Sequence, residues 1–234
     1  MVEGFDIDHR VMQVGHPMNS LFLVQNVGVL SSDDIANGYP IVPNETAGDP
    51  KYIDATPDGK IDASDRVIMD KSPYPQYTWG ITNIFKWKSF DLNIFIQGQN
   101  GGYMYSMFGR AVDRVGQGYM DNTLIKYANR WRSDADPGNG SHKAYSTSAF
   151  IKNTDWLYSS DYVRVRNITL GYNLGSLLKS KTITASRVYV TAENWFGKDY
   201  YTGGFNPEAV NTAGEDYGGF PLSKSLIVGV NITF

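Results

Sequence analysis

The sequence contains no cysteine, so it has neither a disulfide framework nor a thiolate metal site. No segment approaches the roughly 18 consecutive apolar residues that a transmembrane helix needs. That excludes a helical membrane protein and leaves a strand-built one open. Neither sign of charge dominates, the formal net charge being -3, which argues against a nucleic-acid partner. The three histidines, His9, His16 and His142, are scattered, and no HExxH, GxSxG, phosphate-cradling or dinucleotide fingerprint occurs. Nothing therefore points to an enzyme. Met1-Val2-Glu3-Gly4-Phe5-Asp6 has neither the basic nor the apolar stretch of a secretory leader.

What the sequence does contain is rich in tyrosine and glycine, a mix suited to β structure. Its last residues alternate: Leu226, Val228, Val230, Ile232 and Phe234 share one face, and Gly229, Asn231 and Thr233 share most of the other. A period of two means a strand with one apolar and one polar side. Two hairpins repeat this design. Thr78 to Phe85 leads through Lys86-Trp87-Lys88-Ser89 into Phe90 to Gln97, where Phe90, Leu92, Ile94 and Ile96 oppose Asp91, Asn93 and Gln97. Asn167 to Leu174 places Ile168, Leu170, Tyr172 and Leu174 opposite Asn167, Thr169, Gly171 and Asn173, and a Ser- and Lys-rich turn leads into Arg187 to Asn194.

The connections alternate in length. Lys86–Ser89 and Gly175–Ser186 are short, whereas Gln99 to Ser160 and Phe196 to Lys224 are long and weakly periodic. Outer-membrane barrels have short periplasmic turns and long extracellular loops, with the apolar face toward lipid. On that pattern the fold class is all-β, an antiparallel barrel wall, and Phe234 falls on the periplasmic side. The last strand of a soluble sandwich would share the same alternation. Arg164 and Arg166 have the parity of the apolar Ile168 and Leu170. Either a bulge reverses the facing or, as their place on the long-loop side favours, they lie on an extracellular extension of the strand.

Asp54 to Asp65 has EF-hand spacing: Asp54, Thr56, Asp58, Asp62 and Asp65 supply oxygens, Lys60 its carbonyl, Gly59 the turn and Ile61 an apolar anchor. Thr56 and Asp65 depart from the usual Asp or Asn and Glu, which weakens the expected Ca2+ affinity. An Asp-rich surface turn without metal would use the same residues.

Several runs in order resemble one family. They are Asp58-Gly59-Lys60-Ile61-Asp62-Ala63-Ser64-Asp65-Arg66, Pro73-Tyr74-Pro75-Gln76-Tyr77-Thr78-Trp79-Gly80, Phe90-Asp91-Leu92 with Gln97-Gly98, and Tyr162 to Tyr172. Val188-Tyr189-Val190 with Glu193-Asn194, Phe205-Asn206-Pro207-Glu208 and Gly229 to Phe234 complete them. Together they resemble the C-terminal part of SusC/RagA-type TonB-dependent transporters, from about Gly15 onward.

The resemblance implies a piece of a plugged outer-membrane barrel of about 22 strands. It would import glycans or peptides under TonB drive, with a SusD-type lipoprotein as cap and TonB contacting a missing N-terminal part. Phe234 resembles the terminal signal read by the barrel assembly machinery. The expected organisation is an extracellular loop region over 1–76 and barrel strands with their loops over 77–234. Trp131, Trp156, Tyr158, Tyr200 and Tyr201 are candidates for substrate or cap contact, or for packing between loops, and Trp195 is a candidate for the upper aromatic girdle. The competing function is a soluble, secreted, calcium-stabilised β module that binds carbohydrate.

Overall fold

The structure is a computed structural model that describes residues 5–7, 9–112, 125–146, 148–149, 151–175, 183–211 and 213–234. The expected turn at Gly175–Ser186 therefore lies outside the described residues over 176–182, as do 113–124, 147, 150 and 212 of the two long connections. Strands predominate, and among the described residues no helix is long and apolar enough to cross a membrane. Two compact units are present, and the chain passes between them several times.

One unit comprises 75–102, 159–209 and 219–234 and is built on a single five-stranded sheet. Its strands are β1 (Tyr77–Trp87), β2 (Phe90–Asn100), β3 (Tyr162–Asn173), β4 (Ala185–Asp199) and β5 (Ser225–Thr233). They pair antiparallel in the order β5-β4-β3-β2-β1. Two residues, Lys88 and Ser89, join β1 to β2, and Lys88 takes φ 53 to close the hairpin. The first four strands are longer than their periodic stretches in the sequence, because the ladder continues through residues that do not alternate.

Register assigns the faces. Leu92, Leu170, Val190 and Val228 stand opposite one another in turn across four strands, as do Ile94, Ile168, Ala192 and Leu226. This apolar face is widely exposed, with Ile81, Leu170, Val228 and Val230 all more than two-fifths accessible. Aromatic residues mark both ends of it. Trp87, Phe90 and Tyr172 gather at the short-turn end, with ring centroids 6.4 Å apart for Trp87–Phe90 and 4.7 Å for Phe90–Tyr172. At the other end Trp79 lies across Gly98, where a Cβ would come within 2.6 Å of the indole.

The opposite face is polar and carries an ion pair that spans three strands. Arg187 of β4 donates from Nε to Asp91 Oδ1 (2.9 Å) and from Nη2 to Asp91 Oδ2 (2.5 Å) on β2. Its guanidinium passes over Gly171 of the intervening β3, where a Cβ would lie 2.3 Å from Arg187 Nη2. Glycine at 171 is what lets the pair close.

The other unit comprises 1–74, 103–158 and 210–218. Most of the first long connection and part of the second fold with the N-terminal region. The reason is visible in the packing. Leu21 and Leu23 of the strand Ser20–Val24 bury against Tyr105 and Trp156, and Val24 joins Tyr52 and Ile61 in a second cluster. The 103–158 connection so contributes single buried residues on elements too short to show a period. Glu215–Asp216 pairs in parallel with Tyr103–Ser106, so 210–218 returns to the same unit.

Adding a methyl at Gly171 should break the Arg187–Asp91 pair. We expect Gly171→Ala in the full-length protein to cost about 1–3 kcal/mol, typical of overpacking, seen as a lower temperature of heat-dependent gel mobility. The same change in an Arg187→Ala background should cost much less, because the obstructed side chain is gone.

Candidate functional site

A cluster of charged side chains lies on the polar face of the sheet, beside a register irregularity. Between Val165 and Asn167, β3 has one residue more than β2, and β4 has one more than β3, with Asn194 at φ 55 in the extra segment. A one-residue insertion reverses the facing of everything beyond it. Arg164 accordingly stands opposite Gln97, on the side of Asp91 and Asn93, whereas Val163 and Val165 join the apolar face beside Gly98 and Ile96. The extended-strand reading of the two arginines is thereby corrected: the bulge turns Arg164 inward.

There the arginines meet acids. Arg164 Nη1 donates to Glu208 Oε2 at 2.7 Å, and its Nη2 bonds Asp199. Arg166 bonds the other oxygen of Glu208, to which the Tyr162 hydroxyl also donates at 2.9 Å. Arg164 is nearly buried. Two guanidinium groups face two carboxylates, so the cluster neutralises itself. Chemically it is an anchor and not a vacant receptor: it ties the segment after β4 back onto β3. Asn206 helps by accepting from the Glu208 backbone N–H at 3.0 Å, which shapes the Phe205–Glu208 turn.

Sequence reasoning did not single out Asp91, Arg187, Asp199 or Glu208. The signal available was the pair of arginines at an apolar parity, which demanded acids from elsewhere.

The aromatic candidates divide. Trp156 is a core residue of the loop-rich unit, 1% exposed, and Tyr201 is 6% exposed, so neither offers a ring face to a ligand. Tyr158 packs against the Trp156 cluster, and the Trp131 indole lies against Gly48, where a Cβ would come within 2.3 Å of it. Tyr200 is half exposed, with Lys198 Nζ 4.8 Å from its ring centroid. Trp195 is likewise half exposed and donates from Nε1 to the Ser225 carbonyl at 2.9 Å. Phe234 is exposed beyond the end of β5.

The Asp54–Asp65 loop has the expected turn, with Gly59 at φ 81, and the expected anchor, with Ile61 buried. Its carboxylates are engaged with the loop's own backbone. Asp54 Oδ2 accepts from Gly59 N (3.0 Å), Asp58 Oδ1 from Lys60 N (3.1 Å) and Asp62 Oδ1 from Ser64 N (2.7 Å). Asp65 is fully buried and accepts from Thr56 N and Asp62 N, an inward role that needs no metal. The Thr56 hydroxyl donates to the Ser64 carbonyl. Among the described residues no three His, Cys, Asp or Glu side chains gather as a metal-binding group.

Comparisons with known proteins place these features. No protein-family model matches the chain. It is 27% identical over 241 residues to TonB-dependent receptor P3 of Formosa agariphila, covering 96% of this chain and 23% of that protein. It is 28% identical over 225 residues to TonB-dependent receptor SusC of Bacteroides thetaiotaomicron, covering 95% of this chain and 20% of that protein. In fold it matches a structure of the RagAB peptide transporter with a TM-score of 0.78 at 22% identity, over 98% of this chain and 24% of that one. The chain thus spans about a quarter of the length of the proteins it matches.

If Glu208 anchors the segment after β4, Glu208→Gln should free it. In the full-length protein we expect limited proteolysis between residues 200 and 224 to speed up roughly tenfold, the effect of losing about 1.5 kcal/mol from charge-assisted bonds. Global unfolding should move far less. An unchanged cleavage rate would mean that other contacts hold the segment.

Proposed function

Because the chain is a SusC/RagA-type segment in sequence and fold, we propose that it forms part of the wall and outer loops of a TonB-dependent importer in the outer membrane. The observation that carries this reading is the five-stranded sheet itself. One face is a broad exposed apolar surface bordered by aromatics, and the other is polar and internally ion-paired. A soluble sandwich buries its apolar face against a second sheet, whereas a barrel turns it to lipid and its polar face to the lumen.

On this reading the short Lys88-Ser89 turn is periplasmic and the long connections are extracellular. The transported substrates are peptides or glycans; peptides are what RagAB is described as carrying. A SusD-type lipoprotein caps the barrel, TonB engages a part of the protein beyond this segment, and Phe234 serves assembly. The half-exposed Tyr200 is the best-placed aromatic for substrate or cap. Calcium at the Asp54–Asp65 loop belongs to the same proposal, supported by the Gly59 turn, the Ile61 anchor and Asp54 Oδ1, which is buried without a hydrogen-bond partner. Asp58→Ala should remove that binding in calorimetry.

Facing supplies the decisive test. Leu170→Arg, on the apolar face, should cost about 2–4 kcal/mol in refolding of the full-length protein into bilayers, the price of arginine in mid-bilayer. Thr169→Arg, its neighbour on the polar face, should cost well under half as much. Equal costs would refute lipid exposure of the apolar face.

A second pair of substitutions separates recognition from folding. Tyr200→Ala should reduce uptake or cap association while leaving the amount of folded barrel unchanged, whereas Tyr201→Ala should lower the amount of folded protein first. Full uptake in the Tyr200 variant would place substrate reading elsewhere.

A further inference from the structure

The apolar face of the sheet carries a groove along β4. Phe90, Leu170, Tyr172, Val188, Val190 and Val228 line it, around a space of about 260 Å³. Register explains its shape. Phe90, Tyr172 and Val188 form the row nearest the short turn, and Leu170, Val190 and Val228 form the next, so short β-branched side chains on β4 run beside longer ones on β3. A cavity of roughly 150 Å³ with apolar walls already admits benzene. This groove has room for a hydrocarbon chain.

The groove leads to a cation. Its Tyr172 and Phe90 rings are 4.7 Å apart, Phe90 stacks on Trp87 at 6.4 Å, and Lys88 Nζ lies 4.9 Å from the centroid of a Trp87 ring. Four side chains thus make a continuous path from the aliphatic rows to a positive charge at the end of the same face. Trp87 is 67% exposed and Lys88 is exposed, and among the described residues no carboxylate pairs with Lys88. The neighbouring Lys86 differs, because it stands opposite Asp91 on the polar face.

We propose that this groove is a binding site for one anionic phospholipid, its phosphate at Lys88 beside Trp87 and an acyl chain along β4. Charge and shape together select the ligand. A neutral hydrocarbon would use the groove and ignore Lys88, and a free anion would use Lys88 and ignore the groove. A peptide laid there would bring backbone polar groups into hydrocarbon surroundings without partners. Tryptophan and lysine at the rim of an apolar surface suit the boundary between headgroups and hydrocarbon, where each keeps its polar end in water. The inference rests on the barrel-wall reading above and adds to it a particular lipid at a particular place.

The test is native mass spectrometry of the full-length protein, delipidated in neutral detergent and titrated with dioleoylphosphatidylglycerol or with dioleoylphosphatidylcholine, which has no net charge. One equivalent of the anionic lipid should bind at least tenfold more tightly than the neutral one. Lys88→Asn removes the charge and suits the φ of 53 at that position, and it should abolish the preference. Val190→Phe fills the groove while keeping the face apolar, and it should weaken the anionic lipid at least fivefold. Lys86→Gln should leave the preference intact. The proposal is overturned if the parent binds the two lipids equally, if Lys88→Asn and Val190→Phe both bind as the parent does, or if Lys86→Gln loses as much as Lys88→Asn. Such a failure beside unequal costs of Leu170→Arg and Thr169→Arg would remove the lipid site and leave the barrel wall standing, whereas equal costs would remove both.

Discussion

The alternation of side chains along a strand constrains this protein more than any single contact. Each strand of the sheet presents mainly one chemistry to each side: mostly aliphatic and aromatic on one, with amide, hydroxyl and charged groups concentrated on the other. Where β3 needs arginines, the rule cannot be broken, so the strand inserts a residue. The bulge beside Val165 brings Arg164 to the polar side and Val163 to the apolar side at the same step. Without it, either two guanidinium groups would stand among aliphatic side chains or two valines among acids.

Glycine serves the same constraint from the opposite direction. At 171 its missing side chain gives a route for Arg187 to reach across a whole strand, and at 229 a Cβ would come within 2.4 Å of the Tyr189 ring. Both positions are on the polar face, where long side chains lie along the sheet. Such glycines cost strand propensity, and what they permit is a long side chain lying over the neighbouring strand, at 171 far enough to reach the strand beyond it.

The strands were legible in the sequence because their period of two persists over eight or more residues, as from Phe90 to Gln97 and Leu226 to Phe234. The loop-rich unit was not. Its core draws Leu21, Tyr52, Tyr105 and Trp156 from segments up to 135 residues apart in sequence, on strands of three to five residues or on a single 3-10 turn. No local pattern records that convergence. Trp156 and Tyr201 looked like ligand contacts for the same reason: an aromatic residue in an aperiodic stretch reads as exposed until a distant segment covers it. The arginine anchor was half legible. The wrong parity of Arg164 and Arg166 announced a problem, but Glu208 lies 42 residues beyond Arg166, and nothing local links them.

The anchor also has a consequence for how the protein responds to its surroundings. Arg164 is shielded from solvent, with side-chain exposure of 8%, against 45% for Arg132 in its pair with Asp136. Mobile ions screen exposed charges within a Debye length of about 8 Å at physiological ionic strength and reach shielded ones far less. The attachment of Glu208 to β3 should therefore outlast surface pairs as salinity rises. A segment held in this way keeps its place in brine as in dilute medium.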